Sequence, residues 1–357
     1  MIKEAISKIV DGRDLTEDEM EQVMDQIMTG SATPAQIGAF ITALRIKGET
    51  VEEITGAARV MKTKASRIDL WDGIMPNSRG DGNIKRETIL DTCGTGGDGT
   101  NTFNVSTATA FVAAGGGVRV AKHGNRAVSS KCGSADVLEG LGVNLCISTA
   151  DVARCIMEVG IGFLFAPLFH GAMKYAAAPR REIGLRTIFN LLGPLTNPAG
   201  ATAQLLGVYD PDLTDKIAQV LGRLGTTEAF VVCGEGTYDE ISICTPTRVS
   251  HLKEGTVRTS VITPEGYGFK RADPETLRGG DAQHNASIIR EVLEGRKGPK
   301  RDMVLLNAAA AFVTSGLETD LEGGIKRAVD AIDSGRAGEK LNSLVDFTRA
   351  CAVTDQV

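Results

Sequence analysis

The first 65 residues repeat apolar side chains every three or four positions, which is the spacing of amphipathic helices. The repeat runs through Ile2–Val10, Met20–Met28 and Ile37–Leu44 and continues over Ile54–Met61. Such a short segment buries too little apolar surface to be more than marginally stable alone. The pattern therefore predicts a small all-helical domain at 1–65 that packs on a second domain or on another subunit. We also expect part of 165–185 to join this domain.

Predicted helix starts and ends support this interpretation. Threonine precedes three of the helical runs and is followed three positions later by glutamate or glutamine, in the pairs Thr16 and Glu19, Thr33 and Gln36, and Thr50 and Glu53. In such a pair the hydroxyl caps a free backbone N–H and the longer side chain reaches back to another. Gly30 and Gly48 follow two of the runs, where glycine favours the end of a helix.

The pattern changes after the helical domain. Residues 66–86 lack periodicity and contain Pro76, Gly80 and Gly82, which is typical of a linker. Short apolar runs follow at Thr88–Leu90, Gly117–Ala121, Val143–Ile147, Phe163–Ala166, Leu205–Tyr209 and Phe230–Cys233. Helical spacing returns at Ala150–Val159, Thr214–Leu224 and Asn307–Val313, and 248–269 has the pattern of an inserted β-hairpin.

Alternating strands and helices are typical of a largely parallel sheet covered on both faces. The predicted fold class is α/β, with a small N-terminal all-helical domain and a larger α/β domain at 87–357. The larger domain should contain a central, mostly parallel sheet flanked by helices.

Composition excludes several classes of function. The 357 residues carry 45 acidic and 39 basic side chains, a net charge of −6, and nucleic-acid-binding proteins present broad basic surfaces instead. The sequence has no apolar run near the roughly 18 residues that a membrane helix needs, and no secretory signal at its start. Seven cysteines without a C-x-x-C pair argue against a disulfide framework and a zinc site. We expect a cytoplasmic protein that binds neither nucleic acid nor membrane.

The densest chemical signal is the glycine-rich segment Asp91–Thr107, which directly follows a predicted strand. Its glycines let backbone N–H groups converge, and its Thr and Ser hydroxyls add donors near the start of the next helix, which favours a phosphate-binding loop over a mobile surface loop. The spacing also matches the dinucleotide fingerprint G-x-G-x-x-G, but that motif needs an acidic residue about 20 positions later. A basic cluster beginning at Lys122 stands there instead, which argues against a dehydrogenase.

A second polar cluster, Lys122–Asp136, follows the next predicted strand. It contains Lys122 and Arg126 among Gly, Ser and Asn residues, so its cations are better placed for phosphate than as ordinary solvated charges. In a parallel sheet both loops lie at the carboxyl ends of their strands, where ligands bind in open α/β folds. Two phosphate-binding loops at one edge indicate a doubly phosphorylated ligand.

These two segments, with Arg180–Pro198 and Asp239–Ser242, closely resemble the motifs of the anthranilate phosphoribosyltransferase family. The resemblance covers nearly the whole chain, whereas the glycine loop and the fold are shared with pyrimidine nucleoside phosphorylases. It implies transfer of a phosphoribosyl group from phosphoribosyl pyrophosphate to the amine of anthranilate, a step of tryptophan biosynthesis. It also implies a homodimer formed through the N-terminal helices.

The resemblance implies three sets of site residues. The donor set is Gly94, Gly97, Asp98, Thr102, Asn104, Val105, Ser106, Thr107, Lys122, His123, Gly124, Asn125, Arg126, Ala127, Val128, Ser129, Ser130 and Ser134. The acceptor set is Gly94, Asn125 and Arg180, with His123, His170 and Tyr175 as further candidates. The metal set, for Mg²⁺, is Ser106, Asp239 and Glu240. None of these residues is expected to act as a covalent nucleophile.

The chain departs from the family pattern at two positions, Cys233 where relatives often have His and Gly171 where they commonly have Pro. Two other functions remain open on the sequence alone. A pyrimidine nucleoside phosphorylase needs neither the carboxylate pair Asp239 and Glu240 nor an anthranilate-binding arginine. A non-catalytic relative that binds nucleic acid should be basic, and this chain is acidic.

Overall fold

The computed structural model describes residues 1–70, 87–127 and 131–352. Its N-terminal part contains four helices, α1 (Ile2–Val10), α2 (Glu17–Met28), α3 (Pro34–Lys47) and α4 (Val51–Lys64). All three predicted capping boxes are present, with both reciprocal hydrogen bonds. Gly48 ends α3 with a φ of +88°, a conformation that suits glycine. The predicted helical domain is confirmed.

The apolar face of these helices is not a separate core. Phe40 of α3 and Ile54 of α4 belong to the same buried cluster as Ala176, Ile188 and Val231, which lie beyond residue 165. The helices therefore pack directly on the rest of the molecule, as their small size requires. The exact bounds of the two domains remain a prediction, because the buried cluster runs across them.

One seven-stranded sheet organises the larger part of the chain. Its strands are β1 (Ile89–Gly94), β2 (Arg119–Gly124), β3 (Ile161–Phe165), β4 (Ala203–Gly207), β5 (Glu228–Gly234), β6 (Thr247–Lys253) and β7 (Thr256–Ile262). They are arranged in the order β3-β2-β1-β4-β5-β6-β7. The first five strands are parallel, whereas β6 and β7 form the predicted hairpin, which extends the sheet. The predicted fold class is confirmed.

Helices cover both faces of this sheet. Their bounds are α5 (Val105–Gly115), α6 (Ser134–Leu141), α7 (Thr149–Glu158), α8 (Ala166–Phe169), α9 (Lys174–Ile183), α10 (Ile188–Leu195), α11 (Leu213–Arg223), α12 (Ala282–Leu293), α13 (Pro299–Thr314), α14 (Leu321–Asp333) and α15 (Arg336–Ala350). Helices α5 and α13 share one buried cluster with the sheet, and α11 packs with the N-terminal helices in another. Among the described residues, no helix has both the length and the apolar character of a membrane span.

The strand predicted at Val143–Ile147 is wrong. Val143, Leu145 and Ile147 are buried, so the apolar alternation is real, but the segment pairs with no strand. The segment instead contacts α15, where the backbone N–H of Asn144 donates to the hydroxyl of Thr348 at 3.1 Å. A hydroxyl on a helix thus satisfies the Asn144 N–H, which in a strand would have paired with a neighbouring strand.

Of the predicted linker 66–86, residues 71–86 lie outside the described ranges. The described beginning packs on the larger part of the chain. The backbone N–H of Ser66 donates to the carbonyl of Phe169 at 2.9 Å, and that of Ile68 to the carbonyl of Pro198 at 3.1 Å. Ile68 and Leu70 are buried. The chain therefore leaves α4 fixed to the segment that carries α8 and α10.

Candidate active site

The strand order places a cleft at the centre of the sheet. Strand β1 lies between β2 and β4, and the chain passes from β1 outward through β2 to β3 before it returns to β4. Such a reversal is the position at which open α/β sheets bind ligands, beyond the carboxyl ends of the strands. Gly94, Gly124 and Gly207 are the last residues of β1, β2 and β4. The first two of these glycines lie within the predicted phosphate-binding segments Asp91–Thr107 and Lys122–Asp136.

The glycine loop after β1 has the backbone that its sequence predicts. Gly96, Gly97 and Gly99 have φ values of +67°, +69° and +80°, which residues other than glycine rarely adopt. The backbone N–H of Gly96 donates to Oδ2 of Asp239 at 2.9 Å. The loop is thereby tied to the carboxylate pair from a distant part of the sequence.

Two glycines form the floor under Asp239. Gly94 and Gly207 are direct partners in the pairing of β1 with β4. A Cβ at Gly94 would overlap the Asp239 carboxylate, and a Cβ at Gly207 would overlap the Asp239 backbone carbonyl. The segment that carries the carboxylates can therefore lie flat across the ends of both strands only because neither residue has a side chain.

Three carboxylates crowd this edge of the sheet. Burial and the nearby charge of Asp98 raise the pKa of Asp239 to about 7. Burial and the charge of Asp239 likewise raise the pKa of Glu240 well above its ordinary value. The backbone N–H of Ser106 donates to Oε1 of Glu240 at 3.1 Å, which places the Ser106 residue beside the pair.

This donor set fits Mg²⁺. Hard oxygen ligands suit the ion, and Mg²⁺ commonly uses one or two carboxylates together with substrate phosphates. Repulsion among carboxylates, as between Asp98 and Asp239, is the kind of strain that a bound cation relieves. In the described ranges, no cluster of three or more His, Cys, Asp or Glu side chains could hold a metal by itself. The arrangement is therefore suited to an ion that brings phosphate ligands with it.

Lys122 supplies a buried cation next to these groups. Its Nζ donates to the carbonyl of Thr92 at 2.5 Å and to the hydroxyl of Ser106 at 3.3 Å. Burial lowers the pKa of Lys122, and the charge of Asp91 opposes that shift. The ammonium group is thus fixed between the ends of β1, β2 and α5.

Sequence reasoning missed the buried network beneath Lys122. The carboxylate of Asp91 accepts the backbone N–H of His123 at 3.1 Å and an amide N–H of Asn197 at 2.8 Å. The same amide group also donates to the carbonyl of Ala121 at 2.8 Å. Burial raises the pKa of Asp91 to about 6, and the charge of Lys122 opposes the shift. Asp91 and Asn197 both belong to the quoted motifs, but no pattern indicated that they meet.

The remaining donor candidates lie in different surroundings. The amide nitrogen of Asn104 donates to the carbonyl of Cys132 at 3.2 Å, and its oxygen accepts from Asn285 at 2.9 Å. Thr102 forms an isolated antiparallel β-bridge with Arg278. Ser134 is the first residue of α6, and its hydroxyl donates to the Asn125 carbonyl at 3.4 Å. The side chains of Val105 and Thr107 are buried, which leaves only their backbone near the cleft. Ala127 is the last described residue before the gap, and the predicted residues Val128, Ser129 and Ser130 lie outside the described ranges.

Arg126 departs from the expectation of a phosphate-facing cation. Its guanidinium forms ion pairs with Glu139 and Asp136 of α6, the latter at 3.3 Å. It also lies over the ring of Phe165, 5.4 Å from the centroid. Its charge is therefore already engaged, and its role at the donor remains a prediction.

The acceptor candidates lie between the sheet and the helical domain. The rings of His123 and His170 meet edge to face with centroids 5.1 Å apart. Burial lowers the pKa of His123 to about 3 and that of His170 to about 4, so both imidazoles are neutral at physiological pH. The buried Nε2 atoms of both rings lack a hydrogen-bond partner among the described residues.

Arg180 and Tyr175 both belong to α9. The guanidinium of Arg180 lies 5.1 Å from the centroid of the Phe189 ring and, within the described ranges, forms no ion pair. Burial lowers the pKa of Arg180. Tyr175 is 40% exposed, and its ring packs so closely on Gly30, after α2, that a Cβ there would overlap it. The helix that carries these acceptor candidates is thus positioned by the helical domain, whereas the donor candidates follow strands of the sheet.

The chain matches two families that cover both parts of the molecule. Residues 3–65 match the glycosyl transferase family, helical bundle domain, and residues 86–338 match the glycosyl transferase family, a/b domain. The anthranilate phosphoribosyltransferase of Geotalea uraniireducens is 60% identical over 348 residues, which cover 98% of this chain and 99% of that protein.

Solved structures agree with these matches. The crystal structure of the anthranilate phosphoribosyltransferase of Thermus thermophilus has a TM-score of 0.87 and 43% identity, with 97% of this chain and 99% of that chain covered. The Saccharomyces cerevisiae enzyme in complex with PRPP and Mg has a TM-score of 0.86 and 28% identity, with 98% of each chain covered. The resemblance predicted from the motifs is confirmed, and the chain belongs to the anthranilate phosphoribosyltransferase family.

Proposed function

We propose that the chain is an enzyme that transfers the phosphoribosyl group of 5-phosphoribosyl 1-pyrophosphate to the amine of anthranilate. The products are N-(5-phosphoribosyl)anthranilate and pyrophosphate, as a step in tryptophan biosynthesis. The observation that carries this function is the assembly of the glycine loop, Lys122 and the Asp239–Glu240 pair at one edge of the sheet. A pyrimidine nucleoside phosphorylase, which accepts inorganic phosphate, has no need of that carboxylate pair.

We assign the donor's phosphates to the glycine loop and Lys122. The N–H of Gly96 is bound by Asp239, and the left-handed glycines Gly97 and Gly99 beside it direct further backbone N–H groups of the loop towards an anion. As the bond between ribose C1 and the pyrophosphate oxygen breaks, negative charge grows on the leaving group. The ammonium of Lys122 and these dipoles stabilise that charge without moving, which is the most effective form of electrostatic catalysis.

Asp239, Glu240 and Ser106 are the residues that we assign to Mg²⁺, and the yeast structure in complex with PRPP and Mg supports the use of this ion. The ion, when bound, supplies positive charge to the donor's phosphates. The protein's own contribution is to hold Asp239 and Glu240 in place through the N–H groups of Gly96 and Ser106. The glycine floor under Asp239 fixes their height above the strands.

Arg180 is the residue that we assign to the anthranilate carboxylate, with Asn125, His123, His170 and Tyr175 around the acceptor. A half-buried arginine without an ion-pair partner among the described residues offers a planar pair of N–H donors to a carboxylate. Because both histidines are neutral, they add hydrogen-bonding capacity without adding charge. Binding orients the aromatic amine towards ribose C1, where the new N–C bond forms, the C1–O bond breaks with release of pyrophosphate, and the nitrogen passes one proton to water or to the released pyrophosphate. Orientation of the weakly basic amine matters more than a strong base.

We further propose that the protein is a cytoplasmic homodimer that associates through its N-terminal helices. Val10 on α1 is 69% exposed and Ile46 on α3 is 81% exposed, so both helices present apolar surface to solvent in the single chain. Glutamate at both positions should convert the dimer to a monomer in light scattering, and an unchanged mass would contradict this interface. The cytoplasm is where a substrate with several charges is retained, since such a molecule does not cross a bilayer unaided.

The direct test of the function is a mixture of the purified chain with anthranilate, phosphoribosyl pyrophosphate and Mg²⁺, followed by loss of anthranilate fluorescence. We expect turnover that requires all three components. Release of pyrophosphate in equal amount should accompany it. A folded sample that shows no turnover would refute the proposed function.

A further inference from the structure

Arg186 lies beside the glycine loop, and none of the functions above uses it. It belongs to the connection between α9 and α10, and its side chain lies near Gly97, which follows β1, and Tyr209, which follows β4. Its guanidinium lies 4.5 Å from the centroid of the Tyr209 ring. A Cβ built on Gly97 would lie only 3.1 Å from its Nε and 3.3 Å from its Nη2. The guanidinium therefore covers the bare face of Gly97, at the loop that we assign to the donor's phosphates.

The charge of this guanidinium is not neutralised. Among the described residues, Arg186 forms no ion pair, although Arg126 at the same edge is paired with two carboxylates. Contact with the Tyr209 ring orients the exposed guanidinium through the ring's electron-rich face, and among the described residues its N–H groups have no hydrogen-bond partner. An arginine held in this way presents a rigid, planar set of donors, which matches two phosphate oxygens at once.

We propose that Arg186 is a further donor-binding residue, which contacts the pyrophosphate group of the substrate at Gly97. This inference rests on the proposed function and names the part of the substrate, a diphosphate ester, that the residue recognises. Three carboxylates crowd this edge, and Lys122 is the one buried cation that the described residues place among them. A second cation offsets that excess of negative charge where the leaving group gains its own.

The alternative is that Arg186 only packs the glycine loop. Pyrophosphate and ribose 5-phosphate, the two halves of the donor, separate these roles when each is used as a competitive inhibitor against phosphoribosyl pyrophosphate. If Arg186 contacts the diphosphate, its substitution should weaken inhibition by pyrophosphate alone. If it only shapes the loop, its substitution should weaken inhibition by both compounds alike.

The experiment compares Arg186→Gln with the wild type and with Arg181→Gln, an exposed arginine on α9. A hydrogen bond to a charged group contributes about 1.5–3 kcal/mol, so Arg186→Gln should weaken pyrophosphate inhibition by at least ~10-fold. Inhibition by ribose 5-phosphate and the Michaelis constant for anthranilate should stay within about twofold, since these ligands lack the diphosphate. Arg181→Gln should match the wild type in every constant.

Two results would overturn the inference. One is an unchanged pyrophosphate constant in Arg186→Gln, and the other is an equal loss for pyrophosphate and ribose 5-phosphate. A thermal melt of each variant excludes a general loss of fold. The proposed function is judged separately by turnover of the wild type. An active wild type with unaffected pyrophosphate inhibition in Arg186→Gln therefore refutes only the role of Arg186.

Discussion

The two sides of the cleft are held by different forces. On the donor side, hydrogen bonds fix the buried charged groups, as between Lys122 and the Thr92 carbonyl or between the Gly96 N–H and Asp239, whereas the exposed Arg186 is held by a ring contact instead. On the acceptor side, burial and ring contacts do most of this work, and the Nε2 atoms of His123 and His170 have no described partner. The charged groups of the donor edge are in place before a ligand arrives, although the buried hydroxyls of Thr95 and Thr107 there also have no described hydrogen-bond partner. The acceptor pocket contains polar atoms that are satisfied only by a ligand or by water.

This difference has an energetic meaning. An unsatisfied buried polar atom costs about 1–3 kcal/mol, and a ligand that satisfies it recovers that cost on binding. We therefore expect acceptor binding to depend on a few contacts of large effect. Donor binding should be spread over many smaller ones, because the backbone supplies most of them.

The largest expected effect concerns the carboxylate pair. Asp239→Asn combined with Glu240→Gln keeps an oxygen that accepts the N–H groups of Gly96 and Ser106, so the variant should fold normally. A catalytic metal contributes several kcal/mol, and turnover at saturating Mg²⁺ should fall on the order of 1000-fold. A titration of rate against Mg²⁺ measures this. Wild-type rates across the titration would remove both residues from the metal site.

Arg180→Ala should separate the two substrates. Loss of one partner from a desolvated charged pair costs about 2–5 kcal/mol, so the Michaelis constant for anthranilate should rise by at least ~30-fold. The donor constant should change little, since we place Arg180 only at the acceptor. Steady-state kinetics with each substrate varied measure both, and Arg181→Ala, on the same helix, is the matched control. A rise in the donor constant alone would move Arg180 to the phosphate site.

The neutral histidines predict a pH-dependent stability. The pKa of His170 is about 4 in the folded chain, below its ordinary 6.5, so below pH 6.5 the unfolded chain takes up a proton that the folded chain does not. The folded chain therefore has its full stability above pH 6.5 and loses stability as the pH falls towards 4. The loss from this group is about 1.4 kcal/mol per pH unit, or about 2 kcal/mol between pH 6.5 and 5. His170→Gln should remove that part of the slope, as measured by denaturant unfolding at several pH values.

The exposed His284 on α12 provides the control for this measurement. His284→Gln should leave the slope of stability against pH as in the wild type. An unchanged slope in His170→Gln would show that this imidazole does not become harder to protonate on folding.

The smallest effect separates two neighbouring glycines of the donor loop. Gly96 and Gly97 have nearly equal positive φ values, but a Cβ at Gly96 meets open space whereas one at Gly97 meets the Arg186 guanidinium. Both alanine variants should weaken the donor through backbone strain. The additional crowding in Gly97→Ala should cost about 1 kcal/mol more, or roughly a fivefold higher donor constant than in Gly96→Ala. Equal donor constants in the two variants would mean that the Arg186 side chain moves away from the added methyl group at no cost.

The contrast between the donor and acceptor sides also explains which features the sequence could predict. The glycine loop and the capping boxes are contiguous, so their residue types and spacing indicate their local structure directly. Contacts between distant segments leave no such signal, as between Asn104 and Asn285, which are 181 positions apart. The segment Val143–Ile147 has the alternation of a strand, and only its packing on α15 shows why it pairs with none. On the acceptor side the residues came from the family resemblance, because burial and ring contacts have no local pattern.

Gly207 shows that a substitution can disturb the active site from a position that contacts no ligand. It binds no substrate in any role proposed above, yet even one methyl group there would collide with the backbone of Asp239. In a saturation mutagenesis screen for growth without tryptophan, Gly207 should be as intolerant as the carboxylates themselves. A map of intolerant positions would therefore mark the floor of the active site as well as the groups that touch the ligands, and only kinetics of the individual variants would separate the two.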